Sequence, residues 1–224
     1  MRKAHVVAVF VKAPVAGRVK TRLAAEIGVH DAAELYRRLG RQVVAACVGR
    51  GHDTVVWFAP GGAHRAVRDW LKGLSIAAFQ AQVSGALGTR LAAPFRQHFR
   101  EGARRVIVIG SDCPGVDARL VSQAVAAIDQ HDLVIGPAND GGYYLIGLRA
   151  PVPQLFRGIA WSTEAVLEQT LARARQLELS AALLPTLRDV DTASDARAVG
   201  ILPRGVAVPS QQEVAPWLMQ PNKA

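Results

Sequence analysis

Runs of β-branched and apolar residues recur along this chain with helix-patterned segments between them, and that alternation restricts the fold more than any other feature. The runs fall at 5–11, 54–58, 75–79, 105–109, 133–135 and 179–184. Continuous apolar runs of this length suit strands buried on both faces of a mostly parallel sheet. Asp31, with Glu34 three residues on, makes a start like a capping box, and Leu35, Leu39 and Val43 follow at helical spacing. Asp117 is placed to cap a helix carrying Leu120, Val121, Ala124, Val125 and Ile128. Ser162 or Thr163 is placed to cap another, carrying Val166, Leu167, Thr170, Leu171 and Ala174. Strands alternating with helices imply right-handed βαβ units and a three-layer α/β/α sandwich. Residues 136–148 differ: a Gly-rich stretch with two tyrosines leads into an apolar run, which predicts an antiparallel strand or hairpin.

With 224 residues, half of them apolar, the chain fits one α/β domain over 1–200. The tail, 201–224, holds Pro203, Pro209, Pro216 and Pro221 and is expected to be extended. Trp217, Leu218 and Met219 would pin it to its own body or, in a homodimer, to a second subunit; the first is the favoured expectation. No uncharged apolar stretch reaches the roughly 18 residues a membrane span needs. Arg2 and Lys3 before the first apolar run resemble a signal peptide, but Lys12 ends that run and no small-residue cleavage site follows, so it reads as a first strand. Two cysteines, Cys47 and Cys113, without a C-x-x-C pair argue against a disulfide framework or structural zinc and predict a cytoplasmic location. The six histidines show no close metal-ligand spacing. A net charge of +9 suggests anionic partners, yet the basic residues are spread from Arg2 to Lys223.

One local basic cluster says more than the total. In Lys12-Ala-Pro-Val-Ala-Gly-Arg-Val-Lys-Thr-Arg-Leu23, four cations (Lys12, Arg18, Lys20 and Arg22) lie within eleven residues. They follow the first strand directly, where open α/β sheets bind ligands. Gly17 permits an unusual turn, and the N-terminus of the helix that follows offers N–H groups to an anion, so this stretch is a candidate cradle for a di- or triphosphate. It is not a Walker loop, because Val19 separates Gly17-Arg18 from Lys20-Thr21. A solvated basic loop is the plain alternative.

Three further segments carry candidate chemistry. The strand at 105–109 runs into Gly110-Ser-Asp-Cys-Pro114, which brings Asp112 to the same sheet edge as the basic loop. A carboxylate facing phosphates repels them unless Mg²⁺ or Mn²⁺ bridges the two. Cys113 has no histidine tied to it and reads as a packing residue; Ser111 lacks a G-x-S-x-G context, so hydrolase chemistry has no support. In Gly136-Pro-Ala-Asn-Asp-Gly-Gly-Tyr-Tyr144, Gly141 and Gly142 would let backbone approach a ligand. Asp140 could bind metal or a hydroxyl, and Tyr143 or Tyr144 could wall a pocket; the segment is also a strong turn signal. In Arg188-Asp-Val-Asp-Thr-Ala-Ser-Asp195, Asp189 and Asp191 point the same way if the segment is extended, and either could complete a metal site with Asp112, a solvated acidic loop being the alternative. Asp195 reads as a cap for the last helical turn.

These segments, with Phe10-Val-Lys-Ala-Pro14, Leu87-Gly88 and Arg90, and Trp161-Ser-Thr163, resemble bacterial glycosyltransferase-A-like transferases, a group also called selenodomain-associated transferases. The resemblance runs from about Val6 to Asp195; it departs at residues 81–85, where the family is more acidic. It implies the nucleotide-diphospho-sugar transferase fold, which serves both glycosyl and nucleotidyl transfer; the basic loop and the Asp140-Gly-Gly loop are also similar to those of guanylyltransferases acting on phospholactate or phosphoenolpyruvate. The implied activity is a metal-dependent transferase with a nucleotide or nucleotide-sugar donor and a small acceptor. On that reading Lys12, Gly17, Arg18, Lys20, Thr21 and Arg22 hold the nucleotide, and Lys20 and Asp112 are catalytic. Asp112 and Asp191 hold Mg²⁺ or Mn²⁺, and the acceptor lies near Asp140–Tyr143 and Trp161–Thr163. A non-catalytic nucleotide-binding regulator is the second reading. A nucleic-acid-binding module is third, weakened by 6% aromatics and the lack of any nucleic-acid motif.

Overall fold

The computed structural model describes residues 4–202. Arg2, Lys3 and the tail expected to be pinned by Trp217 lie outside them.

Seven strands form one sheet: β1 (His5–Lys12), β2 (Asp53–Ala59), β3 (Ala78–Ala81), β4 (Arg105–Gly110), β5 (Leu133–Pro137), β6 (Tyr143–Leu148) and β7 (Ala181–Leu183). Their order is β3-β2-β1-β4-β6-β5-β7, and only β6 runs against its neighbours. Among the described residues the α-helices are α1 (Thr21–Ile27), α2 (Val29–Ala46), α3 (His64–Trp70), α4 (Leu87–Arg100), α5 (Ala118–Gln130), α6 (Val166–Gln176) and α7 (Ala193–Ala198), with short 3-10 turns at Gly61–Ala63 and Pro153–Phe156. This is the three-layer sandwich the alternation predicts.

Period-two alternation along each central strand divides the core. On β1 and β4, Val7, Val9, Val11, Ile107 and Ile109 pack under α1, α2, α3, α5 and α7. Val6, Ala8, Val106 and Val108 face the other way, under α4 and α6. Both faces are apolar because both are covered.

Four local readings shift. β3 begins at Ala78, opposite Val55, rather than at 75: the chain turns tightly at 74–76, with Ile76 N donating to Leu74 O, so the preceding apolar residues are spent on the approach. Asp31 is not a cap. Gly28, whose φ of 91° suits glycine, precedes α2, and Asp31 lies buried in the first turn. The residue before α6 is Ala165, not Ser162 or Thr163; Thr163 Oγ1 instead donates to Ala160 O and accepts from Ala165 N, closing the turn ahead of the helix. At α7 Thr192 is the cap and Asp195 the reciprocal third residue of a capping box. Asp117 does cap α5, accepting from Leu120 N at 2.7 Å. Residues 133–148 form the antiparallel hairpin, with β5 and β6 paired.

Candidate active site

The C-terminal ends of β1 and β4, the turn from β5 into β6 and the segment after β7 meet at one edge of the sheet and line a cleft of about 680 Å³. The basic loop leaves β1 there and is fastened by Val19, which is 2% exposed and packs into the core. Gly17 takes φ 74°, which only glycine adopts without strain, and Lys20 takes φ 47°, a left-handed conformation uncommon for a residue with a Cβ. That twist turns the Lys20 side chain inward, and only 5% of it is exposed.

Lys20 Nζ lies 2.8 Å from Asp112 Oδ1 and 3.0 Å from Asp191 Oδ1. The two carboxylates come from the turn just past β4 and from the segment after β7, and both stay about half exposed. Val190 holds that segment in place. Its side chain is fully buried and its N–H donates to Asp112 O at 3.1 Å. In an extended chain the residues on either side of a buried one point outward, and Asp189 and Asp191 both line the cleft. Burial alone would lower the Lys20 ammonium, but Asp112 and Asp191 outweigh it and raise its pKa far above the ordinary value, so Lys20 is charged. Burial, together with the neighbouring Asp140, pushes the Asp189 carboxyl up.

A second network fixes the frame. Tyr36 on α2 accepts from Lys12 N at 2.9 Å, and its hydroxyl lies 2.9 Å from Ser111 Oγ. Burial pushes the Tyr36 phenol up to about 12, so it stays a neutral hydroxyl joining the β1 end to the β4 end. Burial, reinforced by Asp189 and Asp112, holds the Cys113 thiol far above its usual range, which suits a packing residue and not a thiolate nucleophile.

Of the sequence-derived candidates, Lys12, Lys20, Thr21, Arg22, Asp112, Asp140, Gly142, Tyr143, Trp161, Ser162, Thr163 and Asp191 line the cleft. Gly17 and Arg18 are exposed outside its lining, and Gly141 is also outside it. At Gly141 the close approach is to the protein's own backbone: a Cβ there would stand 2.2 Å from Glu164 O, and Gly141 O accepts from Leu167 N at 2.9 Å. The glycine therefore locks the 138–142 turn against the chain leading into α6. Sequence reasoning missed Tyr36, Ser111 and Gln82 as cleft residues. Tyr36 lies mid-helix, where no motif marks it. The residues alone leave Asp189 and Asp191 level and the resemblance picks Asp191; the alternation around Val190 is the signal that places both at the cleft.

The donor set fits a divalent cation. Asp112 and Asp191 already converge their oxygens on one cationic centre, and hard carboxylate oxygens suit Mg²⁺ or Mn²⁺. No group of three or more His, Cys, Asp or Glu is close enough to cage a metal among the described residues. Two carboxylates suit an ion that keeps waters and shares its remaining positions with phosphate.

Residues 43–163 match the family described as "Uncharacterized protein conserved in bacteria (DUF2064)". The chain belongs to that family. No curated protein matches it. Among solved structures it is similar to a protein of Desulfovibrio desulfuricans G20 provisionally named a nucleotide-diphospho-sugar transferase. The two share 34% identity over 88% of this chain and 86% of that one, with a TM-score of 0.83. At lower identity the fold recurs in the inositol-1-phosphate CTP transferase of T. maritima (12%, 87% and 92% covered, TM-score 0.52). It recurs also in a manganese complex of Rv0371C from Mycobacterium tuberculosis H37Rv (16%, 89% and 98% covered, TM-score 0.52). The fold is thus the nucleotide-diphospho-sugar transferase fold. Among the described residues no helix is long and apolar enough to cross a membrane.

Proposed function

We propose that this family member is a metal-dependent transferase that takes a nucleotide-bearing donor and passes a nucleotidyl or glycosyl group to a small acceptor. One observation carries the reading: a carboxylate just past β4 and another from the segment after β7 meet a buried lysine beside further cations, Lys12 and Arg22, at the edge of the sheet where open α/β folds bind ligands. The names of the Desulfovibrio and T. maritima proteins, a sugar-nucleotide transferase and a CTP transferase, support the same class.

Asp112 and Asp191 would hold Mg²⁺ or Mn²⁺, which supplies charge neutralisation at the donor phosphates. Lys12 and Arg22 attract the diphosphate at the cleft mouth, and Arg18, more distant, adds to the field that steers it. Lys20 exchanges its two carboxylates for phosphate oxygens once they are engaged elsewhere, so its charge follows the one developing on the leaving group. In either reaction an acceptor oxygen forms a new bond, to phosphorus or to the anomeric carbon, and the bond to a phosphate-bearing leaving group breaks. Asp140, Tyr143 and the Trp161–Thr163 turn border the acceptor.

The test is thermal stabilisation by a panel of nucleoside triphosphates and nucleotide sugars with and without Mg²⁺ or Mn²⁺, since a ligand stabilises by RT ln(1 + [L]/Kd). A metal-dependent shift with one triphosphate and not its sugar conjugate assigns nucleotidyl transfer; the reverse assigns glycosyl transfer. A shift without turnover in any acceptor screen favours a regulator. A flat response across the panel removes the proposal.

A further inference from the structure

The basic loop and the carboxylates occupy the α1 side of the cleft. On the α4 side, Arg90 is a charge without a counter-charge. Its Nε donates to Gln82 Oε1 at 3.1 Å, and its Nη2 is bonded to the same oxygen. Gln82 is itself anchored, because its Nε2 donates to Trp57 O at 2.8 Å and Val11 O at 3.3 Å, at the ends of β2 and β1. Both amide hydrogens and the amide oxygen are thus used inside the protein, and Gln82 has nothing left to read a ligand with. Arg90 keeps Nη1 and one Nη2 hydrogen, and it makes no ion pair within 4 Å among the described residues. Phe10, Leu87, Leu91 and Trp161 line the same cleft as Arg90 and belong to one apolar cluster with α4. Trp161 packs on α4 because Gly88 lacks a side chain; a Cβ would stand 2.5 Å from its Nε1. A guanidinium aimed by an amide, in a cleft lined partly by aromatic rings and with no carboxylate paired to it among the described residues, matches a ligand that brings the missing negative charge.

We infer that Arg90 is the reading residue of a second anion subsite, and that this subsite takes an oxyanion, a carboxylate or a phosphate, carried by the acceptor on a body flat or apolar enough to lie against Trp161 and Phe10. The subsite rests on the geometry of Arg90; its assignment to the acceptor rests on the proposed function, which gives the donor phosphates to the opposite side.

The full chain is titrated with sodium benzoate, phenyl phosphate and the neutral isostere benzamide, by calorimetry or ligand-observed NMR. Benzoate or phenyl phosphate is expected to bind about tenfold or more tightly than benzamide, the range a charge-assisted hydrogen bond provides. The tighter of the two names the oxyanion. Arg90→Met abolishes the preference, and Arg65→Ser, an exposed cation on α3 outside the cleft lining, leaves it. Equal binding of benzamide, or a preference that survives in Arg90→Met, overturns the inference. Should Arg90→Met fail to fold, Arg90→Gln keeps polarity without charge and is read in the same way. The metal–nucleotide panel on the same variants separates the two readings. An unchanged shift in Arg90→Met is expected, and its loss overturns the assignment to the acceptor. A wild type that ignores every nucleotide overturns the transferase reading while the oxyanion result stands.

Discussion

The two edges of the central sheet each carry a cluster of charge, and they are built on opposite plans. At the N-terminal edge, His5 and Arg105 open β1 and β4 in register, and Arg105 pairs with Asp129 near the end of α5. Burial, then the Arg105 charge, lowers the His5 pKa, so this cluster is one cation, one anion and a neutral imidazole. It is balanced within itself, and none of its three members lines the cleft. At the C-terminal edge one ammonium is shared by Asp112 and Asp191, Arg22 reaches Asp191 at 3.7 Å, and Asp189 and Asp140 stand nearby without an ion pair among the described residues. A balanced pair is complete when the chain folds. A cluster with surplus charge, open to a cleft, is complete only when something else arrives, and that imbalance marks a functional edge more specifically than charge alone.

Breaking the contrast should cost most at the C-terminal edge. Asp112→Ala is expected to remove the metal-dependent nucleotide shift and, once an acceptor is in hand, to lower turnover on the order of 10²–10³-fold, while the unliganded protein keeps its fold by circular dichroism. A variant that responds to metal and nucleotide as wild type does would take Asp112 out of the site.

Lys20→Met sharpens the same point. It leaves two carboxylates facing one another and should lower unliganded stability by about 1–3 kcal/mol, less than a fully buried pair loses because both carboxylates are half exposed. Added Mn²⁺ should then restore much of that stability in the variant and do little for wild type. The pH dependence has a definite sign. The folded-state pKa of Lys20 is raised, so its stabilising contribution is fully present below the ordinary lysine value and fades only as pH rises through the higher folded value. The wild-type advantage over Lys20→Met should therefore hold from neutral pH to about 10 and decline above that.

At the opposite edge, Arg105→Met should cost about 1–2 kcal/mol and a few degrees of Tm, between the values for surface and buried pairs. It should leave every ligand-induced shift unchanged; a variant that lost nucleotide response would show that the two edges are not separable. The smallest effect belongs to Asp132, which ties the start of β5 to Ser180 ahead of β7. Ser180 Oγ donates to its Oδ2 at 2.7 Å, and that bond holds the carboxyl below its ordinary value. Ser180→Ala should cost less than about 1 kcal/mol at pH 7. A depressed carboxylate stabilises above its unfolded pKa and loses that contribution as pH falls through the folded one, so the difference should begin to shrink below about pH 4 and be gone once pH has passed the lower folded value.

Much of this was legible without coordinates. β1, β2, β4 and the β5–β6 hairpin follow from apolar runs and turn chemistry, and Asp117 was a readable cap. Asp112 was readable as well, because a strand that ends in Gly-Ser-Asp must deliver its carboxylate to the strand's C-terminal edge. The start of β3 was not legible, since it depends on which residues of an edge strand find partners on β2. Nor were the starts of α2 and α6, where backbone at Gly28 and Ala165 ends the turn without help from the capping side chains nearby.

By itself the sequence determined the layers, the sheet edge that carries the candidate site and the residue types waiting there, because periodicity and strand ends are local properties of the chain. Which of those residues meet was decided only by tertiary structure. Lys20 and Asp191 are 171 residues apart and share a hydrogen bond. Gln82 reaches the ends of two strands to aim Arg90, and Tyr36 joins two strand ends from a helix that carries no motif. Such contacts depend on crossovers and on a left-handed residue in one loop, and no local pattern encodes the distance between side chains that the fold brings together.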